Sequence, residues 1–246
     1  GWHAYPATAR QARDLGTLDE AAPSEAAALE GADVVVLAMP VEATVATLER
    51  WSKRPLAAGL ILDTASVKVA VARAGQALAA FVGTHPVAGS ERSGPAAGRA
   101  DLFEGRAWAY DGDRAPDAVS AARRFIAELG ARPFAIDPAT HDRLIALTSH
   151  LPQVVAVALA CRLAERLDEA GVYDLCGPGI RSTARLAASS WDMWEGILAV
   201  NATTIAQEVR ATAAILTEVA GSLEGGDMQS LRQRFSRAAG AVERLA

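Results

Sequence analysis

Apolar residues fall in short unbroken runs through the first half of the chain, with helical spacing between the runs. DVVVLAM (33–39) and LILD (60–63) are continuous apolar stretches of strand length, and FVGT (81–84), RAWAY (106–110) and RPFAI (132–136) supply further strand candidates. Between them, VEATVATLERW (41–51), VKVAVARAGQALAA (67–80) and DAVSAARRFIAELG (117–130) repeat their apolar positions with the period of a helix. A strand with no polar face has to be covered on both sides, and helices alternating with such strands provide that cover. Residues 1–137 are therefore expected to form an α/β layer around a mostly parallel sheet.

After Pro138 the pattern changes. From Thr140 to Leu245 strand-like alternation nearly disappears and helical periodicity takes over, with breaks near GVYDLCGPG (171–179) and GSLEGGD (221–227). Residues 138–246 are expected to be an all-α domain. Its helices are apolar nearly all round, which demands a partner surface. A second copy of the same region is the expected partner, giving a homodimer through the C-terminal helices. The most apolar long stretch, LIALTSHLPQVVAVALACRL (144–163), carries His150, Pro152, Gln153 and Arg162, which a bilayer tolerates poorly. It reads as a buried helix of a soluble protein, with no membrane partner.

Composition narrows the class without changing this outline. The 246 residues suffice for one large domain or two ordinary ones. A net charge of −5 with no Lys/Arg block argues against a nucleic-acid or anionic-membrane partner. Cys161 and Cys176 are the only cysteines, with no CxxC spacing, so a reducing compartment and no metal cluster are expected. The first residues lack a basic segment followed by an apolar one, and a cytoplasmic location is expected.

Candidate chemistry gathers where the strands end, because open parallel sheets bind ligands beyond the carboxyl ends of their strands. Pro40 follows the first strand run, Asp63 to Ser66 follow the second, and His85 follows the third. One crevice lined by Ser66 and His85 follows from that topology. An imidazole titrates near neutral pH and suits general-base work, although a histidine can equally fix its own loop. Ser66 can also serve as the N-cap of a helix starting at Val67.

Four motifs carry a resemblance. DTASVK (63–68), THPVAGSERSG (84–94), HDRLIALTSHLP (141–152) and TARLAASSWDMW (183–194) occur in this order, and together they resemble the prephenate and arogenate dehydrogenases of tyrosine biosynthesis. The resemblance runs from about residue 30 to the C-terminus. It implies a Rossmann-like nucleotide-binding domain followed by a helical substrate-binding and dimerisation domain. It also implies oxidative decarboxylation of prephenate or arogenate, with hydride transfer to NAD or NADP. By the same resemblance His85 is the catalytic histidine, and Ser66 bonds the substrate hydroxyl or orients that histidine. Arg185 is the arginine that grips a substrate carboxylate, with Arg181 one turn away as a substitute. His150 is a second substrate-binding position, or a satisfied core histidine. Glu91 belongs to a polar network near the site entrance. Met39, Pro40, Thr64 and Ser66 are the expected cofactor contacts. Trp194 is read as packing, and His141 with Asp142 as first-turn capping of their own helix.

The sequence departs from that family pattern in two places. A dinucleotide fold opens with a strand and a G-x-G-x-x-G turn whose N–H groups face the pyrophosphate. Neither is in the sequence, whose first residues GWHAYPATARQARDLG read as the end of a second strand and its helix. The domain is therefore expected to be N-terminally incomplete. Tyr5 and Pro6 stand about where a carboxylate would bond the NAD ribose, and Arg10 could receive a 2′-phosphate. NAD and NADP both stay open, NAD slightly ahead. Beside Arg185, Ser182 and Ala184 replace an acidic residue and a threonine common in the family.

Three other readings stand beside the first. One is a relative oxidising an amino-substituted analogue in secondary metabolism. Another is a silent regulatory homologue, disfavoured by the joint presence of Ser66, His85, His150 and Arg185. The third is a hydroxy-acid dehydrogenase or imine reductase, which usually needs a lysine in the helical part, and no lysine follows Lys68. No ACT-like module follows the helices, so feedback control through one is not expected.

Overall fold

Leu60, Ile61, Leu62 and Asp63 are all buried, as a strand covered on both faces must be. In the computed structural model, which describes residues 1–54, 56–88 and 94–245, these four form β2 (Leu60–Asp63). β2 lies between β1 (Val34–Leu37) and β3 (Phe81–Val82) in an all-parallel sheet, with Leu37 level with Asp63.

Side chains of a strand alternate between faces, and here each face has its own core. Ile61 and Phe81 pack with Leu48 and Trp51 of α3 (Val41–Ser52) and Val71 of α4 (Val69–Ala74). Leu60, Leu62 and Val82 pack on the other side with Trp108, and with Ala122 and Ile126 of α5 (Pro116–Glu128). Helices on both faces of the sheet give the Rossmann-like α/β architecture. The N-terminal residues differ from expectation: no strand forms before α1 (Pro6–Asp14), and α2 (Glu25–Leu29) precedes β1.

A second difference concerns the FVGT run. It divides at Gly83, and β4 (Thr84–Pro86) pairs antiparallel with β5 (Ala107–Tyr110), which pairs parallel with β6 (Arg132–Ala135). Strand direction is set by the partner: the described link before β5 holds only a 3-10 turn at Pro95–Ala97, so no crossover helix returns β5 parallel to β4.

The 67–80 helix is also shorter than its periodicity predicts. α4 starts only at Val69, because the Asp142 carboxylate takes the amide hydrogens of Lys68 and Val69. It stops at Ala74 because the Arg114 guanidinium collects the carbonyls of Gly75, Gln76, Leu78 and Phe81 at 2.9–3.3 Å. Those carbonyls bond to the guanidinium, and a helix cannot continue through them.

Beyond Asp137 the described chain is helical: α6 (Pro138–Ile145), a π turn at Ala146–His150, α7 (Leu151–Ala164), α8 (Pro178–Ala184), a 3-10 turn at Arg185–Ala188, α9 (Trp191–Val200), α10 (Ala202–Glu224) and α11 (Met228–Glu243). The chain divides into two compact units. The first comprises Gly1–Ile145 together with Ala188–Ala202, and the second comprises Ala146–Ala187 with the residues from Thr203 onward. α9 joins the first unit through Ile197, which packs on the α3 core, and through Gly196, which lies under the Glu42 carboxylate.

Within the second unit the expectation of a buried 144–163 helix needs correction. α7 buries Gln153 and Ala156, while Val155 and Val157 stay exposed. Ile215, Leu216, Leu223, Phe235 and Val242 on α10 and α11 are exposed too. A helix apolar on every side can bury only one face within one small unit, and the remainder stays open. The helical run Pro138–Ala164 is long and apolar enough to cross a bilayer by length and composition alone. Its first turns instead place His141 and Asp142 in a buried hydrogen-bonded network with the α/β sheet.

Candidate active site

The carboxyl end of β2 delivers Asp63 into the interior, where its side chain is 0% exposed. Burying a charge there requires a partner, and Lys68, 3% exposed, supplies it. The Lys68 ammonium donates to the Asp63 carboxylate and, at 2.6 Å, to the carbonyl of Thr84. Asp63 in turn accepts the amide hydrogens of Thr84 (2.8 Å) and Ala65 (3.0 Å), and the Thr84 hydroxyl donates to the Asp63 carbonyl. Both backbone polar groups of Thr84, the residue before His85, are therefore held by one buried ion pair. Burial pushes the Asp63 carboxyl up and the Lys68 ammonium down, each opposed by the attraction of the other.

His85 extends from β4 and is 9% exposed. Its Nδ1 lies 2.9 Å from Nε2 of His141 on α6, with the two rings edge to face. His141 Nδ1 lies 2.8 Å from Oδ1 of Asp142. Asp142 also accepts the amide hydrogens of Lys68 (2.6 Å) and Val69 (2.8 Å), and its carbonyl accepts from the Asn201 amide at 2.9 Å.

This overturns the capping assignment made for His141 and Asp142. The first turn of α6 is capped by Asp137, whose carboxylate accepts from Ala139 and Thr140. Asp142 caps a different helix, α4, from across the fold, and His141 joins its carboxylate to His85. Sequence reasoning passed over these two residues and the Asp63–Lys68 pair. The available signal was an acid and a base at the two ends of DTASVK, just after a buried strand run, and a second histidine of only four followed by an aspartate.

Of the remaining sequence candidates, Met39, Pro40, Thr64 and Ser66 share the strand-end region of the first unit with His85. Met39 and Pro40 are fixed by Thr44, whose hydroxyl donates to both carbonyls, and Thr64 N donates to Leu37 O at 3.1 Å. Ser66 is half-buried and caps nothing, since the Asp142 carboxylate does that work for α4. His150 and Arg185 belong to the second unit. His150 ends the π turn and is 1% exposed, whereas Arg185 is exposed at the start of a 3-10 turn. Arg181 donates to the Cys176 carbonyl at 2.9 Å. Glu91 lies outside the described residues.

Such a site can accept a proton at the strand ends. His85 offers the imidazole, and Met39, Pro40, Thr64 and Ser66 offer half-buried or open surface, with the carbonyls of Met39 and Pro40 already bonded to Thr44, against which a planar heterocycle can lie. No G-x-G-x-x-G turn is present in the sequence to receive a pyrophosphate.

Two family models match the chain in succession: the prephenate dehydrogenase nucleotide-binding domain over residues 1–134, and the prephenate dehydrogenase dimerization domain over residues 137–237. Among curated relatives, "Probable prephenate dehydrogenase NovF" of Streptomyces niveus is 33% identical over 203 residues, which are 80% of this chain and 55% of that protein. The chain thus spans little more than half of that relative. The cyclohexadienyl dehydrogenase of Zymomonas mobilis is 29% identical over 235 residues, 92% of this chain and 79% of its own length. Among solved structures, prephenate dehydrogenase from A. aeolicus in complex with hydroxyphenyl propionate and NAD+ shares the fold, with a TM-score of 0.91 at 24% identity over 100% of this chain and 88% of that one.

Proposed function

This chain belongs to the prephenate dehydrogenase family, and from that premise we propose that it oxidatively decarboxylates a cyclohexadienyl substrate, prephenate or arogenate, with a nicotinamide dinucleotide as hydride acceptor. The observation that supports the reading is His85 at the strand ends, tied through His141 to the Asp142 carboxylate.

In this reading His85 accepts the proton of the substrate hydroxyl. The nicotinamide, when bound, supplies the acceptor for the hydride leaving the carbon that bears that hydroxyl. The ring carboxylate departs as CO2 and the ring becomes aromatic. Aromatisation supplies much of the driving force, so the task of the protein is to position the groups rather than to form a covalent intermediate. Ser66 bonds the same hydroxyl, and Met39, Pro40 and Thr64 hold the nicotinamide. We take NAD as the cofactor, the form bound to the A. aeolicus neighbour.

Arg185 is the proposed carboxylate clamp. Its guanidinium is exposed and has no ion pair or hydrogen bond among the described residues, whereas Arg181 is engaged with the Cys176 carbonyl. Where the bound substrate buries its carboxylate against this guanidinium, Arg185→Gln is expected to weaken substrate binding by about 2–5 kcal/mol, read as a raised KM with little change in kcat. An unchanged KM would move the clamp to Arg181. His150 is the proposed second contact to substrate, and Glu91 a member of the polar network at the entrance.

The helical second unit is proposed to pair with a second copy through the exposed apolar faces of α7, α10 and α11, in keeping with the dimerization model matched over 137–237. The unpaired thiols of Cys161 and Cys176 and the net charge of −5 suit a cytoplasmic enzyme. A turnover assay of the full-length protein with prephenate and with arogenate, each with NAD and NADP, tests the function. Turnover with one pair establishes the reading and both specificities, and silence with all four sinks it.

A further inference from the structure

Two of the four histidines meet in one hydrogen bond, and the second is anchored to a carboxylate. A carboxylate can only accept, so the 2.8 Å contact to Asp142 is a bond donated by His141 Nδ1–H. A neutral imidazole carries one N–H, which leaves His141 Nε2 with its lone pair. The 2.9 Å contact to His85 is then donated by His85 Nδ1–H, and the lone pair of His85 falls on Nε2. Each step follows from the one before, starting at Asp142. Asp142 is itself immobilised by the amides of Lys68 and Val69 and by Asn201.

We propose that His141 and Asp142 are positioning residues that fix the tautomer of His85, so that its Nε2 is the proton acceptor and the arriving charge is shared back along the chain. The proposal rests on the reading of His85 as the general base. When Nε2 takes the substrate hydroxyl proton, His85 carries both N–H groups and a positive charge. Its Nδ1–H can move toward His141 Nε2 while His141 keeps its own Nδ1–H on Asp142. No proton is lost, and the Asp142 charge stabilises either arrangement. Among the described residues, the titratable groups near these two histidines are Asp142 on α6, Lys68 before α4, Asp63 at the end of β2, Tyr110 on β5 and Asp111 just after it. Apart from Asp142, neither acid bonds either imidazole: Asp63 is bonded to Lys68, and Asp111 accepts from the amide of Asp113.

The test is a pair of variants, Asp142→Asn and His141→Gln, read by nitrogen NMR of the histidine rings and by pH-resolved kinetics. Asp142→Asn removes the charge but also disturbs the α4 cap, whereas His141→Gln leaves that cap intact and so covers the case in which the first variant does not fold. In the unaltered protein His85 is expected to show the Nδ1–H tautomer. In both variants that tautomer should become mixed and His85 should titrate at lower pH. Turnover should fall about 10- to 100-fold at nearly constant KM, with the acid limb of the kcat profile shifted to lower pH. An Nε2–H tautomer in the unaltered protein overturns the proposal, as does an unmoved His85 titration in both variants. Because the ring spectra need no turnover, such a failure is separate from a failure of the general-base reading, which would show as normal turnover in a His85 variant.

Discussion

A His85→Asn variant is expected to turn over about two to four orders of magnitude more slowly than the unaltered protein, the usual cost of losing a general base. Nucleotide binding should be nearly unchanged. Asparagine approximates the reach of Nδ1 and can keep a bond to His141 Nε2, so the α6 contact at 2.9 Å need not collapse. What it lacks is a group that titrates near neutral pH. The loss should therefore appear in kcat rather than KM, and the pH dependence carried by the base should vanish with it. Steady-state kinetics across pH with a parallel cofactor titration would check this. Unchanged turnover would remove His85 from the mechanism and leave the two-histidine chain as a structural brace.

The second large effect is on stability. Lys68→Met removes the only ammonium beside the Asp63 carboxylate, which is 0% exposed and reached by no other cation among the described residues. Breaking a buried pair by deleting one partner costs about 3–5 kcal/mol, because the surviving carboxylate stays buried without its cation and keeps only the amides of Ala65 and Thr84. The Thr84 carbonyl loses its 2.6 Å donor at the same time. Replacing both partners, Asp63→Leu with Lys68→Met, should cost less than the sum of the single changes. It will not be neutral, because the amides of Ala65 and Thr84 then lose their acceptor. Urea midpoints of the two single variants and the double variant measure the coupling, and strict additivity would contradict the pairing. Burial itself opposes charge on both groups, raising Asp63 and lowering Lys68.

The parts of this fold that could be read from the sequence are those decided by nearby residues. LILD forms β2 at the expected residues because three consecutive apolar residues following a glycine have few other uses. VEATVATLERW and DAVSAARRFIAELG give α3 and α5 for the same reason. The 67–80 helix is shorter than its periodicity predicts because its limits are set from outside, by Asp142 at one end and Arg114 at the other. No local periodicity registers either. The antiparallel pairing of β4 was hidden similarly, since the direction of a strand belongs to its partner. At the site, His85 stood out as a polar residue ending an apolar strand. Its two supports did not, because the contact to His141 spans 56 positions. Residues 141 and 142 looked like helix-start polar residues, and only the tertiary structure turns them toward β4 and α4.

The placement of α6 and α9 bears on how this protein can be taken apart. Both helices follow residue 137 in the chain, yet both pack into the first unit, α6 bringing Asp142 to the start of α4 and α9 bringing Ile197 to the α3 core. A fragment ending where the nucleotide-binding match ends, at residue 134, would shed the Asp142 carboxylate that caps α4 and uncover part of that core. The two halves are therefore not interchangeable modules. A chimera that swaps the helical half at that seam would also take the native His141 and Asp142 away from His85.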